Sequence, residues 1–156
     1  MTKQKGIHTR GRVSISLDKG FLSALKDRVV APETVSERVE KDLLRYTALV
    51  RYGLGQIRQQ FSVLEIKCLV DRAFGRLDEL KNTELWLSSG LQMLAHNPHF
   101  DIEEVRGAGV DMAALADRIG NLHMVERIGL LETLETLCRL NDPKKIEEEI
   151  KKFFKE

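Results

Sequence analysis

The chain has 156 residues, of which 42% are hydrophobic and 31% charged, with 11 Gly and 3 Pro. That is room for one ordinary domain or two small ones. It is too apolar for a disordered chain, and charges break every run well short of the roughly 18–20 apolar residues that a membrane span needs. The opening residues are basic and polar with no apolar stretch behind them, so no secretory leader is expected. The two cysteines, Cys68 and Cys138, are far apart in helical-looking surroundings and read as buried, reduced thiols of a cytoplasmic protein.

The net charge of +1 conceals an asymmetry. Residues 1–60 carry 12 Lys+Arg against 6 Asp+Glu, and the remaining 96 residues carry 13 against 18. The first 17 residues hold Lys3, Lys5, Arg10 and Arg12 and no acid. A basic end on an otherwise acidic chain points to a part that meets a polyanion and a part that does something else.

Residues 1–11 lack periodicity and read as a basic arm. Arg12-Val13-Ser14-Ile15-Ser16-Leu17 alternates polar and apolar, the pattern of a half-buried strand. It sets Val13, Ile15 and Leu17 on one face and Arg12, Ser14 and Ser16 on the other. No other stretch reads as a strand, and a strand needs a partner for its backbone donors and acceptors. The same strand of a second copy is the natural one.

A helix is predicted from about Lys19 to Val30, N-capped by Asp18, with Phe21, Leu22, Leu25 and Val29 on one face. Ala31-Pro32-Glu33 breaks it. Thr34 and Glu37 form a capping box that opens a second helix carrying Val35, Val39, Leu43, Tyr46 and Val50. Gly53 and Gly55 are expected to end that helix near Tyr52. Further helices are predicted from the Ser62/Glu65 box to about Leu80, from Asn82-Thr83 to Asn97-Pro98, from about Asp111 to Ile119, and from about His123 to Leu140. The last runs from Lys144 to Glu156 behind Asp142-Pro143.

The strand with the helix around Phe21-Leu22-Leu25, then Thr34-Val35-Ser36-Glu37-Arg38-Val39 leading into Leu43 and Tyr46, resembles the ribbon-helix-helix (MetJ/Arc-type) DNA-binding fold over about residues 10–52. Ala31-Pro32 stands in the inter-helix turn, where that family usually has glycine. The resemblance implies a homodimeric transcriptional regulator, a repressor or antitoxin-like protein, whose paired strands enter the major groove of duplex DNA. Arg12, Ser14 and Ser16 would read bases. Lys3, Lys5 and Arg10, with the start of the second helix at Thr34, Val35 and Ser36, would meet phosphates. Val13, Ile15, Leu17, Leu25, Val39 and Leu43 would form the dimer core.

The expected organisation is therefore mostly α: an arm at 1–11, a ribbon-helix-helix domain at 12–54, and a helical bundle at 61–156 for higher oligomerisation or for a protein partner. No cofactor, metal, membrane or enzymatic activity is expected. His96 and His99 flank Asn97-Pro98 without metal-ligand spacing, and Gly107-Ala108-Gly109 is too short for a phosphate loop. Asp101, Glu103 and Glu104 read as a solvated helix start. The competing reading is a helical adaptor protein whose basic arm is incidental.

Overall fold

Short polar side chains at helix starts lay out the architecture, because the first backbone N–H groups of a helix have no acceptor within it. In a computed structural model, which describes Ser16, residues 18–96 and residues 109–155, Asp18 accepts from the N–H of Gly20 at 2.8 Å and opens α1, Lys19–Asp27. Thr34 precedes α2, Val35–Gln60. Ser62 and Glu65 close a reciprocal box ahead of α3, Val63–Ala73. A 3₁₀ turn at Phe74–Arg76 leads into the single turn of α4, Leu77–Leu80.

Asn82 caps α5, Thr83–Leu85, which passes through a π-helical turn, Trp86–Gly90, into α6, Leu91–His96. Asp111 caps α7, Met112–Gly120. The Glu126 carboxylate accepts from the His123 N–H at the start of α8, Met124–Cys138. Asn141, at φ 48°, turns the chain in the left-handed region that Asn tolerates, and Asp142 then caps α9, Pro143–Phe153.

The protein is mostly α, and among the described residues there is no β-strand. Of the strand expected over 12–17, only Ser16 is described; it is exposed and lies outside any element. The arm at 1–11, His99, Asp101, Glu103, Glu104 and Gly107-Ala108 lie outside the described residues.

The chain divides into two compact units, up to Leu43 and from Leu44 onward. In the first, Leu25 is the one described residue that is buried. The second has a continuous apolar core that includes Ile57, Ile66, Leu69, Trp86, Leu115 and Leu134. In it α6 packs on α7, and α3 on α8, with α9 lying against both α3 and α8.

Several helices differ from expectation: the first ends at Asp27 rather than near Val30, and the one expected to run to about Leu80 stops at Ala73, ahead of the 3₁₀ turn. Gly53 and Gly55 do not end the second helix, which runs on to Gln60. A Cβ on Gly53 would run into the Val125 carbonyl oxygen and the Gly129 backbone, and one on Gly129 would lie 2.8 Å from the Gly53 Cα. The two glycines let α2 and α8 touch backbone to backbone, and that contact offsets the roughly 1 kcal/mol a glycine costs inside a helix. Similarly, the helix expected from Asn82 to Asn97 contains the π turn. Gly90 makes room there for the Trp86 ring, which a Cβ would approach at 2.7 Å, while the Trp86 indole N–H donates to the Glu79 carbonyl at 2.6 Å.

Three arginines hold irregular backbone in place. Arg127 donates to the carbonyls of Leu87 (2.8 Å), Ser88 (2.7 Å), Gly120 (2.7 Å) and Leu122 (3.0 Å). The buried Arg72 donates to the carbonyls of Leu94 and Ala95 in the last turn of α6. Arg118 donates to the Gln60 carbonyl at 2.7 Å and to both carboxylate oxygens of Glu65. Burial pushes the Glu65 carboxyl up, but the hydrogen bonds from Arg118 and Ser62 outweigh it and hold Glu65 below its ordinary range.

The glycine pair yields a contrast. Gly53→Ala should destabilise the protein by about 2–3 kcal/mol, since backbone rather than a flexible side chain blocks the methyl. Gly55→Ala, with nothing within 4 Å of the new methyl, should be neutral or stabilise by up to about 1 kcal/mol. Urea denaturation of the two variants beside wild type makes the comparison.

Candidate nucleic-acid interface

Of the phosphate-contact residues named from the sequence, Thr34, Val35 and Ser36 are described and stand at the start of α2, where the geometry is set by charges that cross the turn. The Glu33 carboxylate takes Lys41 Nζ on one oxygen at 2.6 Å and Arg38 on the other at 2.7 Å. Across the turn, Arg28, the C-cap of α1, pairs with Asp42 on α2 at 3.1 Å. The Lys41 hydrogen bond, with the nearby Arg38 charge, holds Glu33 below its ordinary value despite some opposing desolvation. These pairs fasten α1, the turn and the first turns of α2 into one piece.

The predicted capping box is present. The Glu37 carboxylate accepts from the Thr34 N–H at 2.7 Å and from the Thr34 hydroxyl at 3.0 Å, while the Thr34 Oγ1 accepts from the Glu37 N–H at 3.2 Å. The bond from the Thr34 N–H is the main reason Glu37 lies below its ordinary carboxylate value. Thr34 and Ser36 are exposed and Val35 is half-buried. The Thr34 N–H thus serves its own helix, and the N–H groups of Val35 and Ser36 are the first-turn donors left outside the box. A carboxylate stands beside them.

Among the residues expected in a dimer core, Leu25 is buried, Val39 is half-buried and Leu43 is 53% exposed. Phe21 and Val30 are exposed as well. Val13, Ile15 and Leu17, the base-reading candidates Arg12 and Ser14, and Lys3, Lys5 and Arg10 lie outside the described residues. Sequence reasoning did not find the Glu33–Arg38–Lys41 and Arg28–Asp42 pairs. Their partners sit across a turn, and no helical i,i+4 spacing announces them.

Two of the open surface cavities lie in the second unit. One, of about 410 Å³, has Val50, Leu54, Leu137 and Phe153 on its walls with Arg58 and Glu149 at its polar edge. The other, of about 320 Å³, lies between α3 and α9 and includes Val70, Phe74, Ile146 and Ile150. Cys138 is buried and Cys68 half-buried. Burial pushes both thiols up, Cys138 to about 11, which leaves them protonated and poor nucleophiles near neutral pH. Among the described residues, no group of three or more His, Cys, Asp and Glu is placed to hold a metal ion, and no helix is long and apolar enough to cross a membrane.

Compared with known proteins, the chain matches no family model, no curated protein and no solved structure.

The turn makes an acid-side prediction. Glu33 and Glu37 both sit below the ordinary value of 4.5, so their contribution to the folded state is complete above about pH 4.5. It disappears as pH falls through their lowered folded values. Protection of the amides over residues 28–42, taken relative to the intrinsic exchange rate at each pH, should therefore fall below about pH 4.5, and Glu33→Gln should flatten that dependence. An unchanged acid profile in Glu33→Gln would show that the paired carboxylate does not hold the turn.

Proposed function

We propose that the chain is a homodimeric, cytoplasmic DNA-binding regulator of the ribbon-helix-helix type, acting as a repressor. The observation that carries the reading is the first unit itself. α1, the ion-paired turn and the part of α2 up to Leu43 bury only Leu25 among their described residues and leave Phe21, Val30 and Leu43 exposed. A unit so short of its own core is completed by apolar surface from elsewhere. The alternating strand at 12–17, immediately before α1, supplies Val13, Ile15 and Leu17 for that purpose when it pairs with the same strand of a second copy.

In this arrangement Arg12, Ser14 and Ser16 point away from the helices into the major groove, where Arg donates two hydrogen bonds to guanine and Ser donates or accepts. The N–H groups of Val35 and Ser36 face a phosphate, aided by the positive end of α2. Glu37 opposes that contact, so most of the backbone affinity falls to Lys3, Lys5 and Arg10. The second unit, with its own core and its surface cavities, serves oligomerisation or a protein partner.

The test has two arms. Ile15→Lys buries an unpaired charge in the ribbon core and should abolish the ribbon dimer, as read by sedimentation at low micromolar concentration. Arg12→Ala should cost about 1–3 kcal/mol on a site selected from random duplex and relax preference at one base pair. Lys3→Ala and Lys5→Ala should weaken all duplexes alike and lower the salt slope by about one unit each. Ser36→Ala should be mild. If Arg12→Ala leaves both affinity and preference intact in a folded protein, the strand does not read DNA.

A further inference from the structure

The 26 residues of α2 form one unbroken helix, so its faces follow from the 3.6-residue period. Gly53 and Ile57, both buried, mark the side turned toward the protein's own core. On the opposite side of the helix, at spacings of three or four, stand Glu37, Glu40, Leu44, Ala48, Arg51 and Gly55.

Four observations set this face apart. Leu44 is 65% exposed, the highest value of any large apolar side chain on α2. Glu40 and Arg51 are exposed and have no ion-pair partner among the described residues, although Glu33 and Asp42 close by are paired. The charges are segregated, since beyond Asp42 the helix carries Arg45, Arg51 and Arg58 and no acid. At the centre, Leu44 alternates with the small Ala48, a knob next to a space for one.

Read in the reverse direction, this face complements itself. An antiparallel copy, related by a two-fold axis between Leu44 and Ala48, lays Leu44 over the partner's Ala48 and sets Glu40 beside the partner's Arg51. The symmetry repeats both contacts, as an isologous interface requires. Gly55 and Ala48 allow a close approach. We propose that the outward face of α2 is a two-fold interface with a second copy of this chain, closed by reciprocal Glu40–Arg51 pairs around Leu44.

The interface stands apart from the DNA-binding reading, since it uses neither the strand at 12–17 nor its inward face. If both contacts form, each chain has two self-complementary surfaces and the assembly grows beyond a dimer, closing as a tetramer when the two two-fold axes meet at right angles. The area of a single helix face is small against that of a stable dimer. Association through α2 is therefore weak on its own, sensitive to salt, and strengthened by any second contact that already joins the copies.

Sedimentation velocity over a wide concentration range tests it, with circular dichroism confirming that each variant folds. Glu40→Arg and Arg51→Glu should each weaken the α2 association at least about tenfold, because like charges meet twice in each two-fold contact. The double variant should recover to within about threefold of wild type. Ile15→Lys separates the two interfaces. With both present, wild type is larger than a dimer, Ile15→Lys and either charge variant are dimers, and their combination is a monomer. If the ribbon reading fails and the α2 interface holds, wild type is a dimer that Ile15→Lys leaves intact and either charge variant breaks. Charge variants that assemble like wild type, or a folded double variant that does not recover, overturn the α2 interface.

Discussion

Four backbone carbonyls, from Leu87, Ser88, Gly120 and Leu122, converge on the guanidinium of Arg127. Each belongs to backbone that regular helix cannot satisfy: the π turn, the last turn of α7, and the link into α8. A carbonyl withdrawn from water without a donor costs on the order of 1–3 kcal/mol, so folding these irregular pieces around Arg127 depends on that one side chain. Lysine has neither the flat fork nor enough directed donors to replace it. Arg72 and Arg118 extend the same solution to the end of α6 and the end of α2, and the second unit is closed at its helix ends as much as at its centre.

Features that depend on neighbouring residues were readable in the sequence. Asp18, the Thr34/Glu37 and Ser62/Glu65 boxes, and Asp142 before Pro143 each act on N–H groups two or three residues away, and the helices begin beside them. Gly53 was misread because its effect depends on Gly129, distant in the chain; by local propensity alone it looks like a stop. The π turn was illegible for the same reason, since Gly90 matters only once the Trp86 ring is seated against it. Arginine was read as charge, whereas Arg127 and Arg72 serve as multiple hydrogen-bond donors to backbone. At the candidate site, the box that engages the Thr34 N–H was legible from its spacing, whereas the pairs from Glu33 to Arg38 and Lys41 follow from side-chain geometry that spacing alone does not give.

The two units rest on different physics. In the first, described residues are tied by carboxylates shared among Arg28, Arg38 and Lys41, with a single buried apolar side chain. Ion pairs near the surface, even half-buried like Glu33–Arg38, contribute modestly each and are screened by salt. The second unit stands on dispersion and apolar burial around Trp86, Leu134 and Ile57, which salt does not weaken. α2 belongs to both, and its start and its end accordingly answer to different solution conditions.

The contact between Gly53 and Gly129 also limits how this sequence can drift. Most core positions accept a change when a neighbour changes in compensation, because side-chain volume can be traded between them. Here the obstacle to a methyl on either residue is main chain, and no exchange of side chains elsewhere moves main chain aside. Descendants that keep this helix crossing must keep both glycines, even after the surrounding sequence has diverged past recognition. A glycine eighteen residues into the long helix behind the Thr-x-x-Glu box, with a second six residues after the His-x-x-Glu start of a later helix, is therefore the most durable trace by which a distant relative would be known.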